Sequence, residues 1–162
     1  MKTIISFKGV PNSGKTTSAL FICSELKQKG YKCDFVPEVA RELIYQYGGF
    51  ESRPTQLLIT GKQIQRITDA LAVQNIIVTD TDVELGANFI THNSEEYLKI
   101  IQEEYKRELA KVSPIVQQIK IQCDRIYSKT NLALLLRMIE KHLITKETID
   151  TADLDFTLFV EN

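Results

Sequence analysis

No apolar stretch in this chain approaches the roughly 20 residues that a membrane-crossing helix needs. The N-terminus also lacks the charged, apolar and small-residue order of a signal peptide. These absences lead to the expectation of a cytoplasmic protein without a membrane partner. Cysteine is scarce: Cys23, Cys33 and Cys123 are odd in number and show no C-x-x-C spacing. That argues against a disulfide framework and against a zinc site, and favours small apolar residues buried in reducing surroundings. His92 and His142 show no metal-ligand spacing and belong to no Ser/His/Asp or Cys/His arrangement, so they read as surface or capping residues. An excess of one charge is missing too. Lys and Arg number 20 against 21 Asp and Glu, a net charge of -1, and the sequence pI is about 6.1. No global basic field advertises nucleic acid, and small-molecule partners are expected. Without repeats, low-complexity tracts or a linker, the 162 residues read as a single domain large enough to bury a core.

What is present is concentrated in Gly9 to Thr17, GVPNSGKTT. It matches G-x-x-x-x-G-K-[ST] at Gly9, Gly14, Lys15 and Thr16, directly after an apolar run and directly before a helical pattern. Average composition would produce the bare match in roughly one chain in two hundred of this length, so chance is a poor explanation. Gly9 and Gly14 permit backbone conformations that a Cβ would obstruct, letting successive N–H groups turn inward around phosphates. The helix opening at Lys15 points its positive end at the same anion. Lys15 is expected to reach the β- and γ-phosphates and the Thr16 hydroxyl to ligate Mg²⁺. Asn12, Ser13 and Thr17 complete the expected cofactor-binding set.

Thr3 to Lys8 reads as a buried parallel strand, followed by a helix from Thr16 to Lys29 that Gly30 closes. A strand over Lys32 to Pro37 and a helix over Val39 to Tyr47 follow, then a helix over Thr55 to Val73 and a strand over Asn75 to Thr79. The alternation implies a parallel sheet with crossover helices. Asn93 and Glu96 suggest a capping box for a helix reaching Val112, with Glu95/Lys99 and Glu103/Arg107 pairs on a solvated face. Ser113-Pro114 looks like a fresh helix start, giving a helix over Ile115 to Ile126, although Ile119-Lys120-Ile121 leaves a strand open. Leu132 to Leu143 is helical and strongly apolar, and Leu154 to Val160 reads as a last strand. Residues 93–143 are thus expected to form a helical insertion.

Three strands end in polar residues on the edge where open α/β sheets bind ligands. Asp80, after Ile76-Ile77-Val78, is the expected metal-site carboxylate, with a turn or cap acid as the alternative. Asp82 stands two residues on, where it could share the cleft. Glu38 could accept a proton from a substrate hydroxyl or hold it by hydrogen bonding. Arg41 could neutralise phosphate charge or pair with Glu38. Gln63 and Arg66 share a helix face that offers donors and an acceptor to a ligand, or is simply polar, and Gly61 hints at close approach by something.

The phosphate loop, Pro37-Glu38-Val39-Ala40-Arg41, Gly61-Lys62-Gln63 and Asp80-Thr81-Asp82 together resemble the kinase domain of bifunctional nicotinamide riboside kinases and related small phage and bacterial AAA-type ATPases. The resemblance covers about the first 85 residues plus the final strand. It implies a three-layer α/β/α P-loop NTPase, with a mostly parallel sheet and the helical insertion. It also implies ATP and Mg²⁺ held by Lys15, Thr16 and Asp80, with Glu38, Arg41 and Gln63 facing a nucleoside-like acceptor. The family continues into a lid arginine past the point where this sequence stops; Arg125 and Arg137 are the late arginines here. The long helical block leaves room for an altered lid, an altered acceptor site or a homo-oligomer contact.

Overall fold

The computed structural model describes residues 1–48, 56–85, 94–123 and 128–145. Its first strand, β1 (Lys2–Lys8), is buried along its middle, as the apolar run Thr3 to Phe7 requires. The phosphate loop leads into α1 (Lys15–Gln28), which ends where Gly30 takes a φ of 86°. There the Gly30 N–H donates to Lys27 O at 3.0 Å and the Tyr31 N–H to Leu26 O at 3.1 Å, the paired bonds of a Schellman ending. Next come β2 (Cys33–Val36), α2 (Val39–Gln46), α3 (Gln56–Val73) and β3 (Ile76–Thr79), all within two residues of their expected bounds. The chain continues through α4 (Ser94–Val112), β4 (Val116–Gln122) and α5 (Lys129–Thr145).

The described strands form one parallel sheet in the order β2-β3-β1-β4, so β1 lies inside it with β3 and β4 as neighbours. One face carries Ile5, Phe7, Val78, Ile119 and Ile121 against Ala19, Ile22 and Leu26 of α1 and Leu132, Leu135 and Ile139 of α5. Cys23 and Cys33 meet within this layer, their sulfurs 3.6 Å apart and both residues buried. The other face carries Ile4 and Ile77 against Ile64, Ile67 and Leu71 of α3 and Ile101, Tyr105 and Leu109 of α4. Two helical layers enclosing a parallel sheet make this a three-layer α/β/α fold.

The helix expected over 115–126 is instead β4, paired to β1 from Lys2↔Val116 to Lys8↔Gln122. Residues 93–143 are therefore not a helical insertion: the segment supplies a core strand between two covering helices. The Ile119-Lys120-Ile121 alternation carried the information, because both isoleucines reach the α1/α5 layer while Lys120 faces away. Ser113-Pro114 starts no helix. The Ser113 hydroxyl accepts the Ile115 N–H at 3.3 Å and donates to Ile115 O at 2.8 Å, a local turn that feeds the strand. On α4, Arg107 pairs with Glu104 and Glu108, where pairing with Glu103 was expected. The cap residue Asn93, His92, Arg125 and the last strand at 154–160 lie outside the described residues. No helix of the described residues is long and apolar enough to cross a membrane.

A strand and a helix predict different costs along this segment. Ile119→Ala and Ile121→Ala should each lose about 2–4 kcal/mol in chemical denaturation. Gln118→Ala, on the exposed position just before them, should stay within about 0.5 kcal/mol. A large loss at only one isoleucine would contradict the β4 register.

Candidate functional site

The loop between β1 and α1 is shaped by three positive φ angles: 148° at Gly9, 63° at Asn12 and 82° at Gly14. Gly9 is required for a second reason. A Cβ there would stand 2.1 Å from the carbonyl oxygen of Cys123 at the end of β4. The same cysteine donates its backbone N–H to Lys8 O at 2.7 Å and its thiol to Ser13 O at 3.1 Å. The loop is thus fastened to the end of β4 on both sides of its apex. The first helical bond runs from the Ser18 N–H to Gly14 O at 2.9 Å. The amides of Lys15, Thr16 and Thr17 therefore precede the helical ladder, at the positive end of α1.

Lys15 folds back over the loop, donating to Gly9 O at 3.0 Å and Val10 O at 2.8 Å. The Ser13 hydroxyl oxygen is buried without a hydrogen-bond partner. The lysine places a cation over the loop, as a phosphate cradle needs. Asn12 and Thr17 are exposed beside it.

Asp80, only 3% exposed, connects the loop to the rest of the sheet edge. Its Oδ2 accepts the Thr16 hydroxyl at 2.5 Å, and its Oδ1 accepts the Glu38 N–H at 2.9 Å. The structure thereby brings Lys15, Thr16, Glu38 and Asp80 together. Glu38 occupies the N-cap position of α2, yet its carboxylate makes no capping bond. Burial, and then the Asp80 charge, push this carboxyl above the ordinary glutamate range, against the opposing charges of Arg41 and Lys15. Arg41 is exposed on the first turn of α2, close enough to act on Glu38.

Gln63 and Asp82 are engaged by contacts within the protein. Gln63 is 4% exposed and turned inward: its Oε1 accepts the Val39 N–H at 2.8 Å and its Nε2 donates to Pro37 O at 3.4 Å. Arg66 does not accompany it but pairs with Glu42 of α2 at 2.6 Å. Gly61 is exposed with open space where its Cβ would be, so no close approach explains it. Asp82 caps the turn after β3 by accepting the Glu84 N–H at 3.1 Å, and binds Lys120 at 3.0 Å. Lys120 also meets Glu84 at 3.0 Å. Burial opposes the lysine charge, but Asp82 and Glu84 outweigh it and raise the Lys120 pKa. Burial, then Asp82 and Glu84, likewise push the Tyr105 phenol up. Asp82 thus belongs to a charged cluster on the α3/α4 side of the sheet.

Cys123 and Lys120 are the two residues at this edge that sequence reasoning missed. Both become visible once 116–122 is read as a strand, because its C-terminal end must then lie beside the phosphate loop.

A β1-loop-α1 unit of this geometry within a parallel α/β/α sandwich is the P-loop NTPase fold. No protein-family model matches the chain, and no curated protein does. Solved structures similar to it include a mutant APS kinase from Mycobacterium tuberculosis, with 11% identity, 88% of this chain and 98% of that chain covered, and a TM-score of 0.49. Thymidylate kinase from Ehrlichia chaffeensis shows 15% identity over 88% of this chain and 100% of that chain, with a TM-score of 0.46. A hexameric APS kinase from Thiobacillus denitrificans shows 13% identity over 90% of this chain and 29% of that chain, with a TM-score of 0.47. The fold rests on sheet order and loop geometry.

The raised Glu38 pKa fixes the sign of a stability change. An acid whose folded-state pKa lies above its unfolded value destabilises the fold once ionised. The loss begins near the ordinary glutamate value of 4.5 and is complete above the folded-state pKa. Glu38→Gln should therefore raise Tm at pH 7, with the advantage vanishing below pH 4.5 in paired thermal melts. An equal gain at both pH values would show that the carboxylate charge is not the cause. Gly9→Ala should lose about 1–3 kcal/mol in denaturant melts by forcing the loop off Cys123; unchanged stability would contradict that contact.

Proposed function

We propose that this protein is an ATP- and Mg²⁺-dependent phosphotransferase acting on a small nucleoside-like acceptor, with nicotinamide riboside as the acceptor the motif resemblance favours. The observation that carries the reading is the Asp80 carboxylate. It joins the Thr16 hydroxyl of the phosphate loop to the backbone of Glu38, whose own carboxylate is left without a capping bond at the same sheet edge. The residues present fit the nucleotide. Gly14, Lys15, Thr16 and Thr17 offer amides and a cation at the start of α1, Gly9 and Ser13 shape the loop against β4, and Asn12 stands exposed at the rim. Thr16 and Asp80 would hold Mg²⁺ through hard oxygen atoms. When bound, MgATP supplies the phosphoryl group.

The chain's own side chains supply the rest. Lys15 offsets negative charge over the loop. Glu38 holds the acceptor hydroxyl and takes its proton, a role for which a carboxyl raised toward neutrality by burial and Asp80 is better suited than an ordinary one. Arg41 offers its exposed guanidinium beside Glu38, where it can meet the transferred phosphate. Gln63 and Asp82 act on the acceptor side through the segments they hold in place. Positioning and charge carry most of the catalysis in such transfers.

Incubation with γ-labelled ATP, Mg²⁺ and a panel of nucleosides tests this reading. Label transferred to one of the nucleosides is the expected result; phosphate release without an acceptor would make the protein a P-loop ATPase or GTPase, and no turnover a nucleotide-binding module. Either of the latter overturns the kinase reading. Lys15→Ala should weaken ATP binding by about a hundredfold in calorimetry. Glu38→Gln should cut kcat by about a hundredfold or more while ATP affinity holds.

A further inference from the structure

We infer that Gln63 is a positioning residue that takes over the capping of α2 so that the Glu38 side chain stays available to the acceptor. The inference rests on the phosphotransferase reading only for what Glu38 is used for. A polar side chain at the N-cap, aspartate foremost among the acids, ordinarily accepts an N–H from the first turn of its own helix. Glu38 sits at that position, with φ −61° and ψ 121°, and does not do so. The Gln63 amide bridges the two peptide groups flanking it instead. Its oxygen accepts the N–H of Val39, the first residue of α2, and its nitrogen donates to the carbonyl of Pro37. The N–H of Glu38 itself goes to Asp80. The backbone of Glu38 is thus held on three sides while its carboxylate bonds to no described residue.

The device depends on an amide. A buried residue here must offer one acceptor and one donor on the same planar group, which glutamine does without bringing a charge next to Glu38 and Asp80. Val39 is fully buried, so its N–H has no solvent alternative. Removing the glutamine oxygen leaves that donor unpaired, and the Glu38 carboxylate, one residue away along the chain and without a capping bond, is the acceptor left to take it. Glu38 would then become an ordinary N-cap and be withdrawn from chemistry. Gln63 therefore touches neither substrate nor nucleotide and acts through Glu38.

Two measurements test this without relying on turnover. In the wild-type protein, NMR should detect a through-hydrogen-bond coupling from the Val39 nitrogen to the Gln63 side-chain carbonyl carbon. A Val39 amide coupled elsewhere would overturn the proposal, and this needs no variant to fold. In ¹³C-glutamate-labelled Gln63→Leu, with Glu38 assigned through Glu38→Gln, the Val39 nitrogen should couple to the Glu38 side-chain carboxyl carbon instead. In Gln63→Glu, which keeps an oxygen for Val39, that coupling to Glu38 should be absent. A Val39 amide in Gln63→Leu without coupling to the Glu38 carboxyl would overturn the proposal. Where the wild type shows transfer, Gln63→Leu should lower kcat about ten- to a hundredfold with the KM for ATP within about twofold. Unchanged kcat would overturn the inference and leave the kinase reading standing, whereas absence of transfer in wild type removes the kinase reading and leaves both NMR tests in force.

Discussion

The carboxylate of Asp80 is the constraint on which the arrangement of the sheet edge depends. A buried anion is costly unless each oxygen finds donors. Here one oxygen takes the hydroxyl of Thr16 and the other the N–H of Glu38. Those donors come from the start of α1 and the start of α2, elements that leave the sheet from different strands. Satisfying one carboxylate therefore fixes the distance between the phosphate loop and the Glu38 turn. The same closeness adds the Asp80 charge to the burial that raises the Glu38 pKa.

The phosphate loop is held from a second direction by β4. Cys123 meets the loop through its carbonyl at Gly9, its N–H at Lys8 and its thiol at Ser13. The Gly9 requirement is thus partly one of packing. The backbone must come close to another strand, which is a stricter demand than a permitted φ. It follows that the loop's shape is a property of three strands: β1 carries it, β3 anchors its threonine through Asp80, and β4 closes its outer side.

Much of this was legible in the chain because local and global preferences agree along its first half. The G-x-x-x-x-G-K-T match, the apolar runs of β1 and β3 and the Gly30 ending each have one physical reading, and the structure has β1 to β3 and α1 to α3 in place. The segment over 113–126 was misread because Ser-Pro is a good helix opening and Val-Gln-Gln-Ile-Lys-Ile has no turn residue to break a helix. Only pairing with β1 decides it, and pairing is a long-range fact. Gln63 and Asp82 were found as polar residues near the edge but not their partners. What a side chain touches depends on elements 24 and 38 residues away, at Val39 and Lys120. Asp82 follows Asp80 by two positions, yet the strand ends at Thr79 and the period-two rule no longer places both on one face.

The two faces of the sheet consequently do different electrostatic work. On the α1/α5 side the edge offers the first amides of α1 and the Lys15 cation, a group of positive character in which Lys15 donates to the backbone oxygens of Gly9 and Val10. On the α3/α4 side Lys120 is already neutralised by Asp82 and Glu84, and the cluster closes on itself. Its raised lysine pKa means that the contribution persists at neutral pH and is lost only as pH climbs through the alkaline range. Glu38 behaves in the opposite sense, favoured neutral by its surroundings yet left without a capping bond. The fold thus pairs the charges of one cluster while burial and the Asp80 charge hold the Glu38 carboxyl above its ordinary range. Gln63 makes that possible, because an uncharged amide caps α2 where the carboxylate would otherwise settle.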